Sequence, residues 1–182
     1  MRFAETRIRG VWLIELEPIA DERGFFARTF CAREMEQHGL SPVVAQCSVS
    51  LSRKRGTVRG MHWQARPHAE AKLVRCVRGS LFDVALDVRP GSPTFGEWVS
   101  AELAAENRRA LYVPECVAHG FQTLEDDTEV LYQISEFYHP ESARGARWDD
   151  PAFGIRWPIE GAVVSDRDRS WPLQVAEEEA KR

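Results

Sequence analysis

The sequence lacks the patterns that mark several classes of protein. Its 182 residues include only four cysteines and no C-x-x-C pair, so neither a zinc site nor a disulfide framework is indicated. The chain opens without an apolar signal-peptide core, and no apolar run reaches the roughly 20 residues that span a membrane. From these absences we expect a cytoplasmic protein that does not associate with membranes.

Basic charge is also scarce. The formal net charge is -4 at pH 7, whereas nucleic-acid-binding proteins carry a strong basic excess or a basic patch. Lysine occurs only as Lys54, Lys72 and Lys181, so the internal Lys72 is a candidate for a specific role. We therefore predict no nucleic-acid partner, while local arginines still suit a small ligand that carries phosphate.

What the sequence does contain is the composition of a folded domain. Hydrophobic residues make up 43% of the chain, and the length suits one domain over residues 1–182. The clearest element is a strand at residues 81–88, where apolar side chains alternate with Asp83 and Asp87. This period of two predicts a strand with two different faces.

Short β segments dominate the rest of the chain. Strands are predicted at residues 11–16, 25–30, 43–52, 73–77, 95–101, 111–113, 120–124 and 129–137. One substantial helix is predicted at residues 32–38, ended by Gly39, and the chain after Pro140 is expected to be irregular with aromatic anchors. Turn residues separate the strands at close spacing, which favours a β-sandwich or a barrel.

Residues 56–64, G-T-V-R-G-M-H-W-Q, are the centre of the functional argument. Arg59 is a permanent cation and His62 titrates near neutral pH, which suits an anionic substrate on which a proton is moved. Taken alone, His62 could also be a core histidine whose ring nitrogens have hydrogen-bond partners. Arg59 argues against this interpretation, because burying its charge in a core strand costs much free energy. Strict alternation puts the two side chains on opposite faces, so a shared site needs a bulge, which Gly60 permits.

Other positions supply groups for acid–base chemistry. Tyr132 is either an ordinary buried tyrosine or an acid, since its phenol can return a proton that a histidine has removed. Lys72 is either a solvated strand end or a cation at the site. Asp166 and Asp168 lie either in a solvated loop or close enough to hold the His62 ring in one tautomer, if this segment folds back.

Histidines in an all-β chain also raise a metal-binding jelly roll as an alternative. Such sites need three or four converging ligands, commonly two histidines on one strand face and a carboxylate. The sequence has no H-x-H pair, and the spacing of His68 and Glu70 fits no strand face. We therefore predict no metal site.

Seven motifs occur in one order along the chain. They are residues 21–26 (D-E-R-G-F-F), 56–64, 72–79 (K-L-V-R-C-V-R-G), 92–96 (S-P-T-F-G), 114–121 (P-E-C-V-A-H-G-F), 140–148 (P-E-S-A-R-G-A-R-W) and 165–168 (S-D-R-D). Together they resemble the dTDP-4-dehydrorhamnose 3,5-epimerase family over nearly the whole chain. The R-G-x-H-x-Q run followed by A-H-G-F is the most specific part of this likeness.

The resemblance implies a fold, an assembly and an activity. The fold is an all-β, cupin-type double-stranded β-helix (jelly roll) with a short N-terminal helix and an irregular C-terminal segment. The assembly is a homodimer in which an N-terminal strand crosses to the partner, with no metal and no organic cofactor. The activity is 3,5-epimerisation of a nucleotide-diphosphate sugar, a 4-keto-6-deoxyhexose, in deoxysugar biosynthesis.

The resemblance also implies a role for each site residue. His62 is the base paired with Asp168, Tyr132 is the acid on the opposite face of the sugar, and Lys72 stabilises the enolate oxygen. The substrate-binding positions are Arg23, Phe26, Arg28, Gln46, Ser48, Arg59 and His119. The chemistry agrees, because a C4 ketone acidifies the C3 and C5 protons, a cation stabilises the enolate, and protonation from the other face inverts the carbon.

Three positions depart from the pattern of the family, and at one of them Gln133 stands where a lysine commonly follows the tyrosine. Arg28 stands where the family usually has a glutamate near the nucleobase, and Ser48 stands where the family has an asparagine. A carboxylate accepts the N3–H of thymine, whereas arginine donates to an acceptor such as N3 or O2 of cytosine. The alternatives are therefore a CDP- or GDP-linked substrate, epimerisation at one carbon only, and a non-catalytic cupin that binds sugar nucleotides.

Overall fold

In a computed structural model, which describes residues 1–174, the chain is built almost entirely from β-strands. The strands are β1 (Arg2–Glu5), β2 (Trp12–Glu15), β3 (Ile19–Asp21), β4 (Gly24–Phe26), β5 (Gln46–Ser52), β6 (Val58–Gln64), β7 (Lys72–Arg78), β8 (Ser80–Asp87), β9 (Trp98–Ala104), β10 (Ala110–Val113), β11 (Val117–Thr123), β12 (Thr128–Ile134) and β13 (Ala143–Gly145). The helices are α1 (Ala32–Gln37) and α2 (Asp166–Arg169). The all-β prediction is confirmed, and no helix in this part of the chain is long and apolar enough to cross a membrane.

Two antiparallel sheets pack against each other. One has six strands in the order β1-β2-β10-β7-β12-β5, and the other has five in the order β13-β6-β11-β8-β9. Both contribute to one core, through Val74, Cys76, Leu111, Val113 and Val130 from the first sheet and Leu81, Ala85, Leu103, Val117 and Phe121 from the second. Removing this apolar surface from water is the main force that holds the sheets together.

Strand β8 is buried on both of its faces. Leu81 and Ala85 belong to the core between the sheets, whereas Val84 packs on the outer face. The irregular segment after β13 covers that outer face, with Phe153 and Trp157 in the same cluster. The predicted alternation and the predicted aromatic anchors are both confirmed.

Strand β6 carries the bulge that the sequence required. Arg59 and His62 pair with two residues of β11 that lie only two positions apart, so two residues of β6 oppose the single Gly120. At Gly60 the φ angle is +122°, and a Cβ there would lie 2.5 Å from the Gly120 Cα, so only glycine fits. The bulge lets Arg59 and His62 line the same cavity.

Several predicted boundaries were wrong. The strand predicted at residues 25–30 is limited to β4, which pairs with β3 in a separate two-stranded hairpin. The strand predicted from position 95 begins only at Trp98, because hydrogen-bonded turns extend to Glu97, including Glu97 N–H to Thr94 O over 2.9 Å. Helix α2 was not predicted, since four residues are too few to show a helical period.

Candidate active site

A cavity of about 420 Å³ opens between the two sheets. Strands β5, β7 and β12 of the six-stranded sheet and β6 and β11 of the five-stranded sheet line it. It brings together most of the predicted site residues, namely Gln46, Ser48, Arg59, His62, Lys72, His119, Tyr132 and Asp168. Strand pairing thus assembles one site from widely separated parts of the chain.

His62 and Asp168 form a hydrogen-bonded pair. The His62 Nε2–H donates to Asp168 Oδ1 over 2.6 Å, and the Asp168 N–H donates to the Ser165 hydroxyl that caps α2. Burial opposes ionisation of Asp168, but the hydrogen bond and the charge of His62 outweigh burial, so its pKa lies below the ordinary value. The carboxylate that contacts the ring is that of Asp168, whereas Asp166 is exposed. This contact favours the tautomer with the proton on Nε2, which leaves Nδ1 as the basic nitrogen.

A second histidine–carboxylate pair lies on the neighbouring strands. The His119 Nε2–H donates to Asp83 Oδ1 over 2.8 Å, and both side chains are buried. Burial raises the pKa of Asp83, and the charge of His119 partly offsets this rise. The sequence analysis missed Asp83, although a carboxylate on the inward face of a buried strand always needs a partner.

Tyr132 lies on β12, in the sheet opposite to the one that carries His62. Its hydroxyl is 3.4 Å from the Ser50 hydroxyl, and its ring meets the His119 ring edge-on at 6.2 Å. Burial raises the pKa of Tyr132 to about 12, although the Ser50 hydrogen bond acts in the other direction. The phenol therefore keeps its proton at neutral pH and is available as a donor.

Lys72 opens β7 and lies inside the cavity. Its side chain is 11% exposed, and Nζ lies 2.8 Å from Glu70 Oε1 and donates to the His62 carbonyl over 3.4 Å. The alternative of a solvated strand end is therefore wrong. The Lys72 ammonium lies beside the backbone of His62, and the sequence analysis missed its ion pair with Glu70.

Arg59, on β6 of the five-stranded sheet, is fixed by strand β5 of the other sheet. Its guanidinium donates to the Ser52 hydroxyl and to the Leu51 carbonyl, each over 3.1 Å. Gln46 and Ser48 line the cavity from the same strand. The cavity therefore carries a permanent cation from one sheet and neutral polar groups from the other, which suits a phosphate-bearing ligand.

Three further side chains of the cavity were missed by the sequence analysis. Arg144, Arg167 and Tyr138 all line it, and all three lie outside the long strands or at their ends. Arg144 lies in the three-residue strand β13, Arg167 in the four-residue helix α2 and Tyr138 in a loop. None of these segments shows a period in the sequence, so the direction of the side chains follows only from the tertiary fold. Arg144 and Arg167 add two guanidinium groups to the positive charge of Arg59.

Three predicted residues lie away from this cavity in their own chain. Arg23 pairs with Asp21 over 2.5 Å and Arg28 pairs with Glu34 over 3.0 Å. Phe26, at the end of the β3–β4 hairpin, is 74% exposed. Within one chain, the structure does not bring these three side chains to the other predicted site residues.

His68 and His139 form a cluster beside the cavity that is poorly arranged for a metal. Their rings stack with centroids 3.5 Å apart and planes 6° apart, and Glu141 Oε1 is 3.2 Å from His139 Nδ1. Parallel stacked rings direct their lone pairs along separate planes, whereas a metal needs ligands that converge on one point. Glu70, which the sequence analysis considered with His68, contacts Lys72 instead.

An all-β fold whose inner cavity holds a histidine–carboxylate pair, a buried phenol and an ammonium defines a class, the cupin-type enzymes that move protons on a bound substrate. The sequence profile described as dTDP-4-dehydrorhamnose 3,5-epimerase matches residues 5–175. The chain belongs to the dTDP-4-dehydrorhamnose 3,5-epimerase family.

Similar proteins support this assignment along the whole fold. A dTDP-4-dehydrorhamnose 3,5-epimerase of Sinorhizobium fredii is 47% identical over 173 residues, which cover 94% of this chain and 89% of that protein. The crystal structure of a Bacillus anthracis dTDP-4-dehydrorhamnose 3,5-epimerase with TDP and PPi bound has a TM-score of 0.91 at 38% identity, covering 94% of this chain and 98% of that one. A 3'-monoepimerase of Streptomyces bikiniensis in complex with dTDP-quinovose has a TM-score of 0.89 at 35% identity, covering 97% and 89%.

Proposed function

We propose that this protein epimerises C3 and C5 of a dTDP-linked 4-keto-6-deoxyhexose, converting dTDP-4-dehydro-6-deoxyglucose to dTDP-4-dehydrorhamnose. One observation carries the proposal: His62 and Tyr132 enter one cavity from opposite sheets, with Lys72 beside the base. A base and an acid on opposite walls meet opposite faces of a flat intermediate. Inversion of a carbon needs this arrangement.

Each step has a group to perform it. His62 Nδ1 removes a proton next to the ketone, while Asp168 stabilises the imidazolium that forms. The Lys72 ammonium stabilises the negative charge that develops on the C4 oxygen. Tyr132 then delivers a proton from the opposite wall. His62 releases its extra proton to water and the Tyr132 phenolate takes one up from water, after which the same sequence at the second carbon completes the reaction.

Substrate binding divides between the cavity and the hairpin. We infer that Arg59, with Arg144 and Arg167, binds the diphosphate, because guanidinium groups pair well with phosphate oxygens. Gln46 and Ser48 line the same cavity on the edge strand β5, which supports a contact of these side chains with the nucleoside. The Bacillus anthracis structure has TDP bound, which supports dTDP as the nucleotide.

We further propose a homodimer in which the β3–β4 hairpin of each chain reaches the cavity of its partner. Ile19 and Phe26 on this hairpin are each 74% exposed, and Val49 on the edge strand β5 is 65% exposed. Exposed apolar groups of this size mark an interaction surface. The exchange would bring Arg23, Phe26 and Arg28 to a nucleotide bound in the partner.

We also propose that the protein is cytoplasmic and forms a single domain. All four cysteines lie in the described part of the chain and are free, which supports a reducing compartment such as the cytoplasm. The two sheets share one core, which supports a single epimerase domain over residues 1–182.

Exchange in deuterated water tests the proposed reaction. With dTDP-4-dehydro-6-deoxyglucose in D2O, we expect deuterium at both C3 and C5 of the product, measured by NMR and mass spectrometry. A CDP-linked 4-keto sugar is tested in parallel. If neither substrate takes up deuterium, the protein is a non-catalytic binder of sugar nucleotides and the proposal fails.

Epimerisation at one carbon is the second candidate. The similarity to the Streptomyces bikiniensis 3'-monoepimerase favours it, since that protein has nearly the same fold at 35% identity. The same experiment separates the two candidates, because a monoepimerase incorporates deuterium at a single carbon of the product.

A further inference from the structure

Glu70 and Lys72 form a buried ion pair inside the cavity. Lys72 Nζ lies 2.8 Å from Glu70 Oε1, and the two side chains are 11% and 10% exposed. Both line the cavity. Removing two charges from water is costly, so a buried ion pair is weak evidence for stability and calls for another explanation.

The backbone between the two residues is clamped. The Ala71 N–H donates to the Ser135 hydroxyl over 2.8 Å, and the Ser135 N–H donates to the Ala71 carbonyl over 3.0 Å. This two-way contact anchors the beginning of β7 to the end of β12. Because positions two apart lie on the same side of an extended chain, Glu70 reaches Lys72 from a fixed backbone.

The Lys72 ammonium is held from two directions. One of its three N–H groups donates to the His62 carbonyl over 3.4 Å, and the ammonium forms an ion pair with Glu70, whose Oε1 lies 2.8 Å from Nζ. The N–H groups beyond the one that meets the carbonyl can serve a ligand. Without such contacts, the flexible four-carbon side chain of lysine samples many rotamers.

We propose that Glu70 is the positioning residue of Lys72 and holds its ammonium beside His62, where an N–H of the ammonium meets the C4 oxygen of the substrate. This inference rests on the proposed epimerase function. Glu70 touches Lys72 and not the reacting atoms, so it acts only through Lys72. A cation already in position needs no reorganisation when the enolate forms, whereas an untethered one must be ordered in every turnover.

Substitutions at position 70 test the proposal through kcat. In Glu70→Ala, kcat is expected to fall about tenfold while KM stays within about twofold, because the loss lies in the transition state. Glu70→Gln keeps a carbonyl oxygen that accepts from Nζ and is expected to retain kcat within about threefold. In a Lys72→Ala background, Glu70→Ala is expected to add no further loss.

Two results would overturn the positioning role. One is a Glu70→Gln variant as impaired as Glu70→Ala, and the other is an alanine effect of the same size with and without Lys72. Glu15→Ala is the matched control, because it removes a 2.9 Å ion pair with Arg109 that lies on the surface, away from the cavity. Its kcat is expected to equal that of the wild type.

The ammonium can also be observed without any reaction. The chain has three lysines, so 15N-labelled lysine gives few ammonium signals, and the Lys72→Ala spectrum assigns that of Lys72. We expect slow solvent exchange of this signal in the wild type and in Glu70→Gln, and loss of the signal in Glu70→Ala. A Lys72 signal that is identical in wild type and Glu70→Ala refutes the tether even if the enzyme is active. Absence of deuterium uptake by the wild type refutes the epimerase function instead.

Discussion

The cavity wall and the N-terminal hairpin hold their functional residues in different ways. In the wall, His62, His119 and Lys72 each contact a carboxylate at 2.6 to 2.8 Å. In the hairpin, Arg23 contacts Asp21, a near neighbour in sequence, and Phe26 is mostly in solvent. A single chain therefore brings together the groups proposed for proton transfer but only some of those proposed for the nucleotide. Substitutions in the wall are expected to alter chemistry, and substitutions in the hairpin to alter binding.

The largest effect is expected from His62→Asn. Removing the base is expected to lower deuterium exchange by about 10³-fold, within the range that general-base catalysis contributes. The dissociation constant for dTDP, measured by calorimetry, is expected to stay within about twofold because the predicted nucleotide contacts remain. Exchange within tenfold of the wild type would show that another group is the base.

Tyr132→Phe is expected to separate exchange from inversion. The base can still remove and return a proton on its own face, so deuterium appears in recovered substrate. Formation of the epimerised product is expected to fall about 10²-fold, because the opposite wall has lost its proton donor. The ratio of deuterated substrate to product, followed by NMR, measures this. Equal losses of exchange and inversion would assign Tyr132 a structural role.

Local patterns in the sequence were enough to predict the framework of this wall. The alternation around Asp83 and Asp87 identified a two-faced strand, because side chains of a strand alternate with a period of two. Gly60 identified the bulge, since glycine is the residue that tolerates a close backbone approach. Both features depend on a few consecutive residues.

Contacts between distant segments were beyond the reach of the sequence. The His119–Asp83 pair depends on the register of β8 against β11, which brings residues 36 positions apart into contact. The ion pair of Lys72 depends on the clamp between the ends of β7 and β12. The position of the hairpin relative to the cavity depends on tertiary structure, and in our proposal on a second chain.

Arg23→Ala tests the hairpin side of the comparison. Loss of one charge-assisted contact to phosphate is expected to raise KM about tenfold while kcat changes little. Mixing this variant with His62→Asn and allowing the subunits to exchange is expected to restore about one quarter of the sites at low substrate. Half of the dimers are then mixed, and one of the two sites in each carries neither substitution.

The control mixture combines His62→Asn with Tyr132→Phe. Both residues belong to the cavity of one chain, so every site keeps a defect and no activity is expected to return. Recovery in this control, or none in the first mixture, would contradict the exchange of hairpins between chains.

Arg28→Glu is expected to change the preference for the nucleobase, by a smaller factor than Arg23→Ala changes KM. A carboxylate accepts the N3–H of thymine, so the ratio of CDP to dTDP dissociation constants is expected to rise about fivefold. Arg28→Gln removes the same charge and the Glu34 ion pair without adding a carboxylate. If both variants leave the ratio of dissociation constants unchanged, other residues recognise the nucleobase.

The smallest effect is expected in thermal stability, where Asp168 of the cavity wall can be compared with Asp21 of the hairpin. The pKa of Asp168 lies below its ordinary value of 3.8, so its ionised form stabilises the folded state above about pH 4, and this stabilisation is lost as the pH falls through the folded pKa. Asp168→Asn is expected to lower Tm by about 2–4 °C at pH 7, for a contribution near 1 kcal/mol, with the difference shrinking below pH 4.

Asp21 in the hairpin also has a lowered pKa, through its hydrogen bonds with Arg23, but this pair is exposed and screened by water. Asp21→Asn is therefore expected to leave Tm unchanged within about 1 °C at every pH, and a loss equal to that of Asp168→Asn would mean that the hairpin is as firmly built as the cavity wall.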